Sequence, residues 1–300
     1  MNEAPLARGP ERVLIAAFEG WSDAGAATTT VLQHLGELIG AEQLHAIGAD
    51  GFVDLQVHRP KVSFDEHGKR VLDWPETRLY GVVHRPGESI EPGQETVRRL
   101  DGAPVTDMFL LAGVEPARDW AAFADEIVDV VDSWQIDTVI LLGSLFSDSP
   151  HSRPIVTMLY SEDAELRSRI DAERGDYEGP VGINTVMELA LTEAGVPTAS
   201  IWAQVPHYVH SAPSPKATLA ILDKLEEVLD VVIPRGSLVQ EATEWESNIN
   251  RIAESDEDMS NYIRSLEQAR DAASAPETTG EAIAHEIEKF LGRDPEGDAR

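Results

Sequence analysis

The sequence predicts an α/β layered fold built on a mixed, largely parallel sheet, followed by a C-terminal helical extension. Three observations predict it. Residues 13–18 form an unbroken apolar run, as a strand buried on both faces of a sheet requires. Short runs of this kind alternate with helical stretches, the order that yields parallel strands joined by crossover helices. After Pro234-Arg235-Gly236 the alternation stops and the chain reads as helix throughout.

Taken in order, the first run breaks at Glu19-Gly20-Trp21-Ser22-Asp23-Ala24-Gly25, and residues 26–39 then read as a helix with Gly40 as its stop. Further strands are expected at 44–49, 53–57, 78–83, 108–112, 138–142, 155–160 and 199–204. Helices are expected at 119–134, 161–169, 184–194 and 215–231. The 119–134 stretch places Trp120, Phe123, Ile127, Val130, Val131 and Trp134 at 3-4 spacing, one buried stripe. Residues 54–85 carry few helix signals and are expected to add antiparallel strands. We place a boundary at 235/236, giving an α/β domain over 1–235 and an acidic extension over 236–300. In the extension Leu238, Trp245, Ile252, Met259 and Leu266 fall seven apart, with Ala242, Ile249, Asp256 and Ile263 on the alternate seam. Ser255-Asp256-Glu257-Asp258 interrupts that seam and can cap a second helix. A hairpin folded on the main domain is preferred over an intermolecular coiled coil, because a second apolar helix (Ile283, Ile287, Phe290) follows.

Charge narrows the function classes. The 300 residues hold 54 Asp and Glu against 24 Lys and Arg, a net of −30. Such a field repels phosphate backbones and anionic lipid, so neither nucleic acid nor membrane is expected as a partner. Zero cysteines exclude disulfides and thiolate chemistry. The first apolar run is too short for a secretory core or a membrane span, and a cytoplasmic protein is expected.

Four stretches carry chemistry-bearing residues. Gly20 and Gly25 are spaced as in a phosphate loop, but Ala26-Ala27 stand where Lys and Ser or Thr belong, so a triphosphatase is not expected. Asp23 or Ser22 can instead cap the following helix. Gly143-Ser144 after an apolar run, with His151 nearby, suggests a nucleophile and base, although no G-x-S-x-G elbow is present. Arg153 can grip a carboxylate or phosphate, or pair with Asp148 across its own turn. Asn184 can cap a helix whose first amides could receive an anion. His207 and His210 lie three apart, but Pro206 argues against a helix there, and no metal site or cofactor is expected.

Together, and in this order, these stretches resemble the proteasome assembly chaperone 2 family in its actinobacterial form. The matching segments are FEGWSDAGAAT from Phe18, LLGSLFSDSPHSRP from Leu141, YEGPVGINTVM from Tyr177 and IWAQVPHYVHSAPSPKATLAIL from Ile201. The resemblance implies a three-layer α/β/α sandwich of nucleoside phosphorylase/hydrolase-like architecture without its catalytic residues. It also implies homo-oligomers, a trimer being one allowed state, and in archaeal and eukaryotic members the escorting of proteasome subunits. Archaeal members that engage the proteasome end in a hydrophobic-Tyr-X motif. This sequence ends Gly297-Asp298-Ala299-Arg300, which argues against docking by the tail.

The expected function is a non-catalytic assembly or scaffold protein with a protein partner. The alternative is a hydrolase, transferase or binder of a nucleoside- or amide-type small molecule. Its candidate pocket comprises Glu19, Gly20, Trp21, Asp23, Gly25, Ser144, His151, Arg153, Asn184, His207 and Tyr208.

Overall fold

The structure, a computed structural model, describes residues 12–83, 95–210 and 213–274. Its centre is a seven-stranded sheet of β1 (Val13–Glu19), β2 (Glu42–Ile47), β5 (Thr77–Gly81), β7 (Met108–Val114), β8 (Thr138–Ser147), β9 (Thr157–Tyr160) and β10 (Thr198–Pro206). The spatial order is β2-β5-β7-β1-β8-β10-β9. The four central strands β7, β1, β8 and β10 run parallel, while β5 on one side and β9 on the other are antiparallel to their neighbours. β2 closes one edge antiparallel to β5.

The apolar run of β1 divides its side chains between two cores by simple alternation. Val13, Ile15 and Ala17 face a cluster formed with α1 (Ala27–Ile39) and α5 (Pro215–Leu229). Leu14, Ala16 and Phe18 face a second cluster formed with α2 (Trp120–Ser133) and α4 (Ile183–Glu193). Helices on both faces leave neither face of β1 to solvent, which is why it has no polar residue before Glu19. The fold is therefore a three-layer α/β/α sandwich around a mixed, largely parallel sheet. The short α3 (Ala164–Ile170) is capped by the Asp163 carboxylate, which accepts from Leu166 N at 2.6 Å.

Three sequence expectations need correction. Residues 53–57 are turns and not a strand, because the Asp54 side chain accepts from Gln56 N (2.8 Å) and its carbonyl from Val57 N and His58 N. The strand expected at 138–142 continues to Ser147, paired throughout with β10. Finally, residues 61–73 form a two-stranded hairpin, β3 (Lys61–Phe64) and β4 (Arg70–Asp73), separate from the main sheet. A second two-stranded pair joins β6 (Arg98–Arg99) to β11 (Val231–Val232).

The chain divides into two compact units between Arg251 and Ile252, inside α6 (Leu238–Glu254). In the first unit Leu238, Ala242, Trp245 and Ile249 of α6 are buried, and Leu238 joins the α1/α5 core. Ile252, at the next step of the seven-residue series, is 62% exposed, so the seam does not run on as one stripe. In the second unit α7 (Glu257–Ser274) starts at a cap made by Asp256, whose carboxylate accepts from Met259 N at 3.1 Å. Ile283, Ile287 and Phe290 lie outside the described residues. No helix among the described residues is long and apolar enough to cross a membrane.

Candidate functional site

Open α/β sheets bind ligands outside the carboxyl ends of adjacent strands whose connections leave in opposite directions. Here that place lies between β1, which leads through α1 to the β2 edge, and β8, which leads through α4 to β10. Direct pairing of β1 with β8 stops at Ala16–Leu141. The gap beyond is then bridged by the loop itself at Asp23–Ser144. Ser144 N donates to Ser22 O at 2.8 Å and Ser144 Oγ to Ala24 O at 3.0 Å. Ser144 is fully buried, and its hydroxyl proton is spent on a backbone carbonyl. The Gly-Ser pair thus marks a packing need, not an exposed nucleophile. Trp202 of β10 lies across Gly143, where any Cβ would stand 2.4 Å from the indole ring.

Asp23 is equally occupied. Its Oδ1 accepts from Thr28 N (2.8 Å), Thr28 Oγ1 (2.7 Å) and Thr29 N (3.3 Å), and its Oδ2 from Thr29 Oγ1 (2.6 Å). Those are the first amides of α1, so Asp23 acts as the cap from several residues upstream. Gly25, at φ 64°, permits the tight approach: its carbonyl accepts from Ser214 N at 2.8 Å, and a Cβ there would meet Ser214 Cβ at 2.9 Å.

The residue that organises the crevice was not singled out from sequence. Glu115, one residue past β7, extends one carboxylate oxygen to Trp21 N (3.4 Å) and the other to Ile183 N (3.0 Å). The anion expected at the start of α4 is therefore the protein's own carboxylate. The cap position of α4 is Gly182 and not Asn184. Asn184 instead points at the sheet, donating Nδ2 to Leu142 O at 2.8 Å. A side chain at Gly182 would collide with Ser22 Oγ (2.9 Å) and Glu115 Oε1 (3.0 Å), so the three loops interlock. Two polar atoms in this knot, Ser22 Oγ and Asn184 Oδ1, are buried without a partner.

The His and Arg candidates belong to a separate cluster. His151 is buried, with Nδ1 2.8 Å from Tyr208 Oη and Nε2 3.0 Å from Asn250 Oδ1 of α6. Its carbonyl accepts from Lys216 Nζ, which also pairs with Glu246 at 2.6 Å. His151 thus joins the loop after β8 to α5 and α6, and it packs edge-on against Trp245. Arg153 closes its turn through N to Pro150 O (3.3 Å) and reaches Ser152 Oγ. Asp148 pairs with His207 at 3.3 Å. Residues 207–209 form a single 3-10 turn.

The structure therefore brings Gly20, Trp21 and Gly182 to Glu115, joins Asp23 to Ser144, ties Asn184 to Leu142 of β8, and brings His151, Tyr208 and Asn250 together. Glu19 sits exposed at the end of β1. Large side chains of the loop after β1, the end of β8 and the loop before α4 are exposed. Trp21 is 73% and Tyr177 70% exposed, with Phe146 and Val181 also open to solvent. No group of three or more His, Asp or Glu among the described residues could hold a metal ion.

The fold and site define a three-layer α/β/α protein whose β1/β8 crevice is bridged by its own loops. Residues 17–253 match the model of the PAC2 family, and the chain belongs to that family. Two solved structures are similar to it over 84% of this chain and 99% of theirs. One, a PAC2 family protein from Streptomyces avermitilis, is 37% identical with a TM-score of 0.72. The other, a proteasome-assembly chaperone homologue from Mycobacterium tuberculosis, is 35% identical with a TM-score of 0.68. An archaeal proteasome activator from Pyrococcus furiosus shares the fold at 14% identity and a TM-score of 0.60, over 83% of this chain and 96% of its own. No curated protein matches the chain.

Proposed function

We propose that the chain is a non-catalytic, homo-oligomeric PAC2 protein that assists assembly of a protein complex, with proteasome subunits as its partners. One observation carries this reading: the place where an α/β enzyme would hold substrate is bridged by Asp23–Ser144 and plugged by Glu115. Ser144 and His151, the pair with the chemistry of a nucleophile and base, bond to different partners in different clusters. The names of the Mycobacterium and Pyrococcus relatives point to the proteasome as the complex concerned. Trp21, Tyr177, Phe146 and Val181 form the partner-binding face, since exposed aromatics at one end of a rigid sheet serve protein contacts well.

Assembly of purified proteasome α and β subunits, followed by native mass spectrometry, tests the reading. The chain is expected to accelerate formation of assembly intermediates. Trp21→Ala is expected to abolish most of that acceleration while leaving the melting temperature unchanged. An unchanged assembly rate with the wild-type chain would refute it. The unpartnered Ser22 Oγ and Asn184 Oδ1 favour one second reading, a small polar ligand admitted when the loops part. Saturable stabilisation by a nucleoside or amide in a thermal-shift screen would support that instead.

A further inference from the structure

The hairpin of β3 and β4 buries nothing: all eight strand residues are exposed. Pairing places Val62 opposite Leu72 and Phe64 opposite Arg70, so these four share one face, while Lys61, Ser63, Val71 and Asp73 share the other. On the first face Val62 is 53%, Phe64 70% and Leu72 55% exposed, with Arg70 as its sole charge. An isolated two-stranded hairpin is marginal in water, and three large apolar side chains on one exposed face mark a contact surface. The charge of this arm is also out of keeping with the chain. Residues 59–73 hold four Lys and Arg against three acids, in a protein of net −30.

The same chain carries a site of opposite character. A groove of about 290 Å³ opens between the start of α5 and α6, floored by Pro213, Pro215, Leu238 and Trp245 and rimmed by Glu241 and Glu244. Trp245 Nε1 is buried there without an acceptor. The outer edges of a two-stranded hairpin present unpaired carbonyls that can supply one. Because the hairpin face is exposed, it is not seated in the groove of its own chain.

We propose that the β3–β4 hairpin of one copy docks in the α5/α6 groove of a second copy. Val62, Phe64 and Leu72 lie on the apolar floor, and Arg70 faces Glu241 and Glu244. Hairpin and groove are different surfaces and each copy carries both, so the contact is made either reciprocally across a two-fold axis or head-to-tail in a closed ring. The inference rests on the homo-oligomer reading above and names its surface.

Sedimentation velocity and light scattering on the full chain test it. The wild-type chain is expected as a closed oligomer of two or more copies. Phe64→Ser with Leu72→Ser, or Arg70→Glu alone, is expected to weaken association about tenfold or more. Adding Glu244→Arg to Arg70→Glu is expected to recover most of the loss. Far-UV circular dichroism and melting should stay at wild-type values, because the altered residues are exposed. A wild-type monomer overturns both the oligomer reading and this surface. A wild-type oligomer that the hairpin variants leave intact overturns only the surface. Failure of the charge swap overturns the groove.

Discussion

The β1/β8 crevice and the β3–β4 hairpin are opposites. In the crevice almost every polar group has a partner within the chain: Asp23 accepts four hydrogen bonds, Glu115 ties two loops, and the Ser144 hydroxyl meets a carbonyl. In the hairpin the apolar side chains are left uncovered, with Phe64 70% exposed. A region whose bonding capacity is used up internally contributes stability. A region with uncovered apolar area contributes binding. The difference teaches that the ligand-binding end of an α/β sheet can use its bonding capacity internally while uncovered apolar area gathers on an arm away from the sheet.

Substitutions can break the crevice side of this contrast. Gly143→Ala forces a methyl group onto the Trp202 ring in the middle of a buried sheet and should destabilise the fold by about 3 kcal/mol, measured by urea unfolding. If it is tolerated, the β8/β10 packing beside the crevice is looser than described. Asp23→Ala removes the cap of α1 and takes the acceptor from Thr28 N and Thr28 Oγ1, at a cost of about 2 kcal/mol in the same assay. Asp23→Asn should cost less, because one amide oxygen still accepts.

A smaller effect sharpens the picture from the body of α4. Burial pushes the Glu188 carboxyl up to about 7, with Glu162 adding to the rise and a Ser200 hydrogen bond opposing it. Between about pH 4.5 and 7 the folded chain holds a proton that the unfolded chain has released. Stability from this group therefore falls as pH rises through that window, by roughly 1–2 kcal/mol after allowing for partial exposure. Glu188→Gln should flatten the fall. An unchanged pH profile would show that Glu188 is solvated.

Much of the layered fold was legible in the sequence because β1 is apolar from Val13 to Phe18 and β8 from Val139 to Leu142. The helices followed from their 3-4 stripes, α2 most clearly. The hairpin was not localised, since Lys61, Asp65, Glu66, Lys69 and Arg70 interrupt the alternation that a half-buried strand would show. Residues 53–57 misled for the opposite reason: Val53 and Val57 suggest a strand, but Asp54 turns the chain. At the crevice, Gly-Ser read as a nucleophile because the need for Gly143 comes from Trp202, far away in sequence. Glu115 carried no signal at all, since one acid after a strand becomes a loop clamp only through partners distant in the chain.

Hydrogen–deuterium exchange of the full chain across a range of protein concentrations probes both regions at once. Amides of Thr28, Ser144 and Ile183 should stay strongly protected at every concentration, whereas residues 61–73 should gain protection as concentration rises. Fast exchange at Ser144 and Ile183, with a hairpin indifferent to concentration, would contradict the account.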